Sequence, residues 1–405
     1  MPPEIGNLTN LVSLKMGSCK SLFGSIPSEI GALSKLEYLD LSWSGLAGAI
    51  PSEIGNLTNL VTLNLGSCTS LSGSIPSEIG ALSKLKYLDV FWSSLTGTIP
   101  SEIGKLMNLV SLNMTGTSFY GSIPSEIGAL SNLKYLDLSW SNLTGTIPSE
   151  IGNLKNLVSL SLGACGSLSG SIPSQIGALS KLKYLGLFWS SLTGIPSEIG
   201  NLNNLVSLDL AGCKSLSGNI PTQIGALSKL KTLDISWSNL TGTIPSEIGN
   251  LKNLISLDLR DCKGISGSIP IEIGALLELK FLDLSSSNLI GTLPSEIGNL
   301  TNLVTLNLGG CTSLSGSIPS QIGALLNLKY LDLSSSNVTG TIPSEVGNLK
   351  NLVSLNLGSC MSLSGSIPSQ IGALSNLKYL DLSMSNLTDW KFEESGLPSA
   401  AIQQP

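Results

Sequence analysis

An α/β solenoid, mostly β with short 3-10 turns, is the fold class this sequence predicts, and three observations predict it. The first is repetition. Leu57 to Ala81 reads LTNLVTLNLGSCTSLSGSIPSEIGA, Leu82 to Lys105 reads LSKLKYLDVFWSSLTGTIPSEIGK, and this pair recurs along the chain with few changes. A period of about 20 to 50 residues marks a stack of equivalent turns, none of which can bury its apolar side alone. The second is the local pattern: Leu136 and Leu138 are apolar while Tyr135, Asp137 and Ser139 are not, the period of two that belongs to a strand. The third is composition. Hydrophobic residues make up 41% of the chain and charged residues only 12%, which suits a long core under a surface of Ser, Thr, Asn and Gly.

The turns follow in order. Met1 to Asn7, MPPEIGN, begins in mid-turn, as comparison with IPSEIGN shows. Sixteen turns then start at Leu8 and at leucines 23 to 25 residues apart, the last at Leu374. The turn from Leu179 is the 23-residue one, lacking a residue between Gly194 and Ile195. In the turn from Leu130, the residues Leu133, Leu136, Leu138, Leu143, Ile147, Ile151 and Leu154 form an apolar column that stacking closes. Strands of successive turns pair in parallel. Gly145 and Pro148 mark a bend, and Leu143 to Ile147 adds a short second strand. The SEIGNL segment is too short and Gly-broken for an α-helix, so a single 3-10-like turn is expected.

Residues 1–388 are thus expected to be one solenoid domain of any length, and residues 389–405 a tail that caps part of its end. Trp390 and Phe392 are expected to fold back over Leu380 and Leu382, with Ala400 to Pro405 looser. Met1 to Gly6 covers little of the other end, which invites end-to-end self-association or implies a missing upstream segment; light scattering at several concentrations would separate the two.

Net charge is -6, with no His and a single Arg, Arg260. That balance offers no footprint for nucleic acid, and no apolar run reaches the ~18 residues of a membrane span. A nucleophilic triad wants a His base and no Cys pair has zinc spacing, so the reading is of a non-enzyme without cofactor or metal. Cys19, Cys68, Cys165, Cys213, Cys262, Cys311 and Cys360 share one repeat position. Neighbours lie two turns apart or more, roughly 9–10 Å on a strand spacing of ~4.8 Å, beyond the ~7 Å a disulfide spans. Seven free, mostly buried thiols are expected. They suit a reducing compartment, and with no signal-peptide pattern the chain as given favours the cytoplasm; an upstream signal, once removed, would make it secreted or cell-surface.

The string LxxLxxLxLxx(S/C)xxLxGxIPxxIG resembles the plant-type leucine-rich repeat, the family of receptor-like protein ectodomains and polygalacturonase-inhibiting proteins. Its LxGxIP segment, here LTGTIP and LSGSIP, is the specific signature, and the resemblance covers about residues 1–388. It implies a right-handed superhelix of about sixteen turns with the parallel sheet on its concave face, and a protein or peptide as partner of that face. Three features depart from the family. Its ladder Asn is replaced by Ser in even turns (Ser44, Ser93, Ser141) and by Cys or Thr in odd ones. A hydroxyl there is expected to bond the neighbouring backbone, a thiol only weakly. Disulfide-bonded caps are missing, as are a membrane span and a kinase domain.

Three arrays carry the functional reading. Trp43, Trp92, Trp140, Trp189 and Trp237 recur on every second turn just after the strand, joined by Phe91 and Phe188. Tyr38, Tyr87, Tyr135 and Tyr184 lie on the sheet face of the same turns. These aromatics either stack as structural filler or form a binding surface, and the burial of Trp43, Trp92 and Trp140 decides. Asp40, Asp89 and Asp137 would orient a ligand on that face. The primary reading is a non-catalytic protein- or peptide-binding scaffold using the concave face and this Trp/Tyr stripe. The second array is Thr96/Thr98, Thr144/Thr146, Thr241/Thr243 and Thr339/Thr341, with Ser pairs in odd turns. On a second sheet these would make two parallel rows of small hydroxylated side chains at strand spacing. Ice-binding solenoids present such rows, and some plant ice-binding proteins resemble this repeat family, so ice binding is the alternative; a self-assembling fibre is a third. The last array is a Glu row after Pro-Ser (Glu29, Glu53, Glu78 and onward), which Lys35, Lys84 and Lys105 are expected to offset.

Overall fold

The computed structural model describes residues 1–390, with side chains to residue 388. It divides into two compact units, Met1–Thr241 and Gly242–Pro405. In the first, ten three-residue strands from Ser13–Lys15 to Thr232–Asp234 pair in parallel in chain order. The register sets equivalent leucines side by side, Leu112 against Leu136 and Leu136 against Leu160. In the second, six strands from Ser256–Asp258 to Tyr379–Asp381 pair in the same way, Leu257 opposite Leu282. These sixteen strands, one for each turn, make the fold a leucine-rich solenoid. No α-helix occurs among the described residues; each SEIG segment is a five-residue 3-10 turn such as Ser149–Asn153, entered from Pro148 in an extended conformation. Proline fixes that entry because its ring locks φ.

Leu133, Leu136, Leu138, Leu143, Ile147, Ile151 and Leu154 are all buried. The glycine of the 3-10 turn sets how closely turns stack. A Cβ on Gly128 would stand 2.5 Å from the carbonyl oxygen of Glu150 in the next turn, so only hydrogen fits.

All seven cysteines are free, six buried and Cys19 exposed. Their hydrogen bonding reverses the expected division of labour. Ser141 Oγ donates to Leu138 O of its own turn at 2.8 Å, whereas Cys165 Sγ donates back across the turn boundary to that same Leu138 O at 3.3 Å. Ser44 and Cys68 share Leu41 O in the same way. Thr117, which stands where odd turns carry Cys, bonds only its own Met114 O at 2.7 Å. The longer C–S bond gives the thiol a reach that the hydroxyl lacks. Burial pushes the Cys165, Cys213, Cys311 and Cys360 thiols up from their ordinary value, which keeps them as S–H donors.

Lys35 and Lys84 do not offset the Glu row as the repeat suggests. Lys35 Nζ donates to Asn10 Oδ1 at 2.6 Å and Lys84 Nζ to Asn59 Oδ1 at 2.7 Å, both on the preceding turn. Glu29 accepts instead from the Ser28 hydroxyl at 3.2 Å.

The second strand forms where expected, Asn142–Thr146, pairing with Ser118–Gly121 and Ser167–Gly170. This five-stranded sheet ends at Ser191–Leu192, in the 23-residue turn. At the start of the chain Leu8, Val12 and Phe23 are exposed. At the other end the backbone of Asn386–Trp390 pairs with Ser364–Ile367, while Leu380 and Leu382 are half-buried. The expected cover from Phe392 and the looser Ala400 to Pro405 lie outside the described residues, as does the Trp390 side chain.

Candidate functional site

On each main strand the central Leu points into the core, so its neighbours point out. Tyr87, Tyr135 and Tyr184 are therefore about half exposed, while Tyr38 is more covered, with the Lys15 ammonium 4.7 Å from its ring centroid. Tyr330 and Tyr379 of the second unit hold the same strand position and are equally exposed. The sequence reading left them out, although their place in the repeat identifies them.

The Asp row is partly engaged already. Asp137 Oδ1 accepts from both the N–H and the hydroxyl of Ser139, at 2.9 and 2.5 Å, and Asp40 holds Ser42 in the same way. These carboxylates therefore brace their own turns. Asp89 differs because Phe91 stands in place of that Ser, leaving one long contact of 3.5 Å from the Phe91 N–H. Burial, with the like charges of Asp40 and Asp137, pushes its carboxyl up to about 6. Asp89 thus holds its proton more tightly folded than unfolded. Its contribution to stability is full below the ordinary carboxylate range and is lost as pH rises to about 6 and beyond. Asp89→Asn is expected to raise stability at neutral pH and to flatten the pH dependence in that window. Urea unfolding at about pH 4 and pH 7 checks this; an unchanged slope would contradict it.

The Trp row combines exposure with unusual backbone. Trp43, Trp92, Trp140, Trp189 and Trp237 lie between 43% and 54% exposed, and all five have φ between 48° and 57°. This left-handed region disfavours bulky side chains, at a cost of order 1–3 kcal/mol each. The backbone does not need tryptophan to reach it. Ser286 and Ser335 hold the same position at φ 55° and 54°. The turn-to-turn bond from Trp140 N to Gly163 O at 2.8 Å recurs from Ser286 N to Gly309 O at the same length.

The rings also touch one another. Phe91 reaches back over Gly66 to Trp43, with centroids 6.2 Å apart. Trp140, Phe188 and Trp189 form an edge-to-face cluster with Trp140 and Trp189 centroids at 5.6 Å. Packing and exposure, posed as alternatives by the sequence, thus coexist: ring edges meet ring faces while about half of each Trp stays exposed. Trp189 and Trp237 wall a cleft of about 590 Å³ over Gly212, with Ser191 and Lys214 at its rim. A Cβ on Gly212 would collide with Trp189 Cδ1, so glycine lets that indole lie across the turn. No sequence signal singled out this cleft, since it depends on how Trp189 leans.

Thr96, Thr98, Thr144, Thr146, Thr241, Thr243, Thr339 and Thr341 are all exposed, but the two even rows expected of them do not form. The rows are staggered, Thr144 pairing with Ser167 and Thr146 with Ser169, two residues off the repeat alignment. The second sheet is also broken into short pieces. Thr96 lies in the strand Thr96–Gly97, and Thr98 falls beyond its end. Thr241 and Thr243 lie in Asn239–Thr243, where Thr243 pairs with Ser266. Thr339 makes only an isolated bridge to Ser317, and Thr341 lies past it in irregular backbone. The second threonine of each pair is further committed to packing. A Cβ added at Gly121 would stand 3.0 Å from the Thr98 methyl, at Gly170 2.8 Å from that of Thr146, at Gly267 2.7 Å from that of Thr243, and at Gly365 2.7 Å from that of Thr341. Thr98, Thr146, Thr243 and Thr341 thus lay their methyls over the bend glycine of the next turn. The repeat showed their spacing but not this contact, which depends on how neighbouring turns stack.

Among the described residues no three His, Cys, Asp or Glu converge as metal ligands, and no helix is long and apolar enough to cross a membrane.

Comparison with known proteins adds the following. A family model described as a leucine-rich repeat region matches residues 63–173, 159–266 and 254–399, and a single Leucine Rich Repeat model matches residues 35–57. Among solved structures, the plant peptide hormone receptor RGFR1 in complex with RGF2 is 32% identical with a TM-score of 0.75, covering 96% of this chain and 73% of that one. The ectodomain of the Arabidopsis receptor kinase HAESA, in complex with an N-terminally extended IDA peptide hormone, is 30% identical with a TM-score of 0.74 over 96% and 72%. A leucine-rich-repeat protein of Leptospira interrogans is 32% identical with a TM-score of 0.74 over 95% and 93%. No curated protein sequence matches.

Proposed function

This chain belongs to the plant-type leucine-rich-repeat family, and from that premise we propose that it is a non-catalytic scaffold whose sheet face and Trp row bind a protein or peptide. The observation that carries the reading is the half-exposed Trp row in left-handed backbone, which serine turns build without it. A side chain kept there at conformational cost, with about half of it in water, supports a contact role over a packing role. The RGFR1 and HAESA structures, each holding a peptide hormone on the same type of fold, support the ligand class. Tyr87 and Tyr135 would flank the ligand, and Asp89, with its spare carboxylate oxygen, would orient it.

Selection of a displayed random-peptide library on the intact chain tests this. Selected peptides should lose about 2 kcal/mol or more of binding on Trp140→Ala and none on Thr144→Tyr. Retained binding in the Trp variant would remove the reading. Exposure of all eight threonines favours ice binding as a second reading, although the stagger of their rows and the packing of Thr98, Thr146, Thr243 and Thr341 oppose a flat lattice match. It predicts the reverse pattern in a thermal-hysteresis assay, activity lost on Thr144→Tyr and kept on Trp140→Ala.

A further inference from the structure

Between Trp189 and Trp237 the repeat departs from itself, and the departures meet in one cleft. Gly212 stands at the position that Asp261 holds two turns further along the chain, and Lys214 at the position of Lys263. In the later turn the pair is self-contained, with the Lys263 ammonium 3.9 Å from the Asp261 carboxylate. With glycine in place of that aspartate, the Lys214 ammonium makes no ion pair among the described residues. Its backbone is fixed all the same: Lys214 N donates to Gly212 O at 2.9 Å, and Lys214 O accepts from Asn239 Nδ2 at 2.6 Å. The glycine also admits the Trp189 indole, which a Cβ there would strike. The cleft lies beside the 23-residue turn, where one piece of the second sheet ends at Ser191–Leu192 and the next begins at Ser217–Asn219.

The lining specifies a chemistry. Two half-exposed indoles offer flat apolar walls, which favour a flat apolar ring. Lys214 supplies one positive charge, and none of the described residues that line the cleft is acidic, in a chain of net charge -6. The strand carboxylates of the same two turns are occupied, Asp209 by the Ala211 N–H and Asp234 by Ser236. Ser191 donates its hydroxyl to Gly166 O at 2.6 Å and keeps its oxygen as an acceptor, while the Ser215 hydroxyl is exposed without a protein partner. On the far side of Trp189, a Cβ on Gly166 would meet nothing within 4 Å, so that edge is open. A volume of about 590 Å³ and mostly apolar walls with a few polar groups are the marks of a small-molecule site. We propose that this cleft binds a small aromatic monoanion, its ring held against Trp189 and Trp237 and its charged group on Lys214, with Ser191 and Ser215 at the edge. The proposal goes beyond the peptide-binding reading, because one cleft carries the recognition whether or not the rest of the face takes a peptide.

Fluorine NMR on the intact chain tests this. The probe is para-trifluoromethylbenzoate, with para-trifluoromethylbenzamide as a neutral match in shape and trifluoroacetate as an anion without a ring. The benzoate resonance is expected to shift and broaden to saturation, with an affinity about fivefold above that of the benzamide, and trifluoroacetate is expected not to bind. Lys214→Met keeps the stem and removes the charge, and should bring the benzoate down to the affinity of the benzamide. Trp189→Ser should abolish binding of both. Serine is the chosen replacement because Ser286 and Ser335 already occupy that backbone, and an unchanged melting curve confirms the fold. Absence of saturation by the benzoate, equal affinity of acid and amide, or full affinity in either variant would overturn the proposal. Tighter, Lys214-dependent binding of a capped Phe-Glu dipeptide would assign the cleft to a pair of peptide side chains and overturn the small-molecule assignment. If library-selected peptides lose binding on Trp140→Ala while the benzoate does not saturate, this inference alone falls.

Discussion

Leu136→Ala is expected to destabilise the first unit by about 2–5 kcal/mol, the range for truncating a fully buried leucine that its surroundings cannot refill. Leu136 is 1% exposed and held in register between Leu112 and Leu160, both parts of paired strands that resist collapse into the void. Because each turn of a solenoid touches only its neighbours, the loss should be local before it is global. Hydrogen exchange followed by mass spectrometry should show faster exchange in peptides containing Ser111, Tyr135 and Ser159. Peptides several turns away, around Tyr38, should change little. Uniform acceleration across the chain would show that the turns unfold as one cooperative block.

Gly128→Ala is the second large effect, and it acts through close approach. The added methyl would stand 2.5 Å from the Glu150 carbonyl oxygen and 2.7 Å from Glu150 Cβ. Backbone cannot rotate away as a side-chain tip can, so the two turns must part. Overpacking of this kind costs about 1–3 kcal/mol. Gly166 supplies the control. A Cβ there meets nothing within 4 Å, so Gly166→Ala should be neutral or stabilise by up to about 1 kcal/mol through the unfolded chain. Thermal melts of the two variants decide. Equal losses would mean that turn spacing is not what the 3-10 glycines set.

Much of the fold was legible because it depends on local order. The two-residue alternation around Leu136 placed the strand Tyr135–Asp137, the Gly145 and Pro148 bend placed the second strand, and the Gly-broken SEIGN segment placed a 3-10 turn. Spacing along the repeat also placed the thiols too far apart to bridge. The candidate site was legible as a set of positions and not as a geometry. The Trp row was visible in the sequence, but its left-handed backbone and the contact of Trp140 with Trp189 were not. Those rings sit 49 residues apart in the chain, and their approach depends on how neighbouring turns stack, with Trp189 lying over Gly212. Asp40 and Asp137 were expected to orient a ligand; what the spacing did not show is that Oδ1 of each accepts from the Ser two residues on, Ser42 or Ser139. Lys35 and Lys84 were matched to glutamates by charge, and asparagines of the preceding turn hold them.

The sequence by itself determined that this is a stack of equivalent turns with a leucine spine, which residues face outward, and that no sulfur bridges another. Those properties follow from periodicity, which is written along the chain. Only the tertiary structure decided which donor crosses between turns, which carboxylate lacks a serine hydroxyl, how the threonine rows are staggered, and where two indoles open a cleft. Each of these depends on distances between side chains of neighbouring turns. Tenths of an ångström in stacking settle them, and no pattern of residue types carries that information.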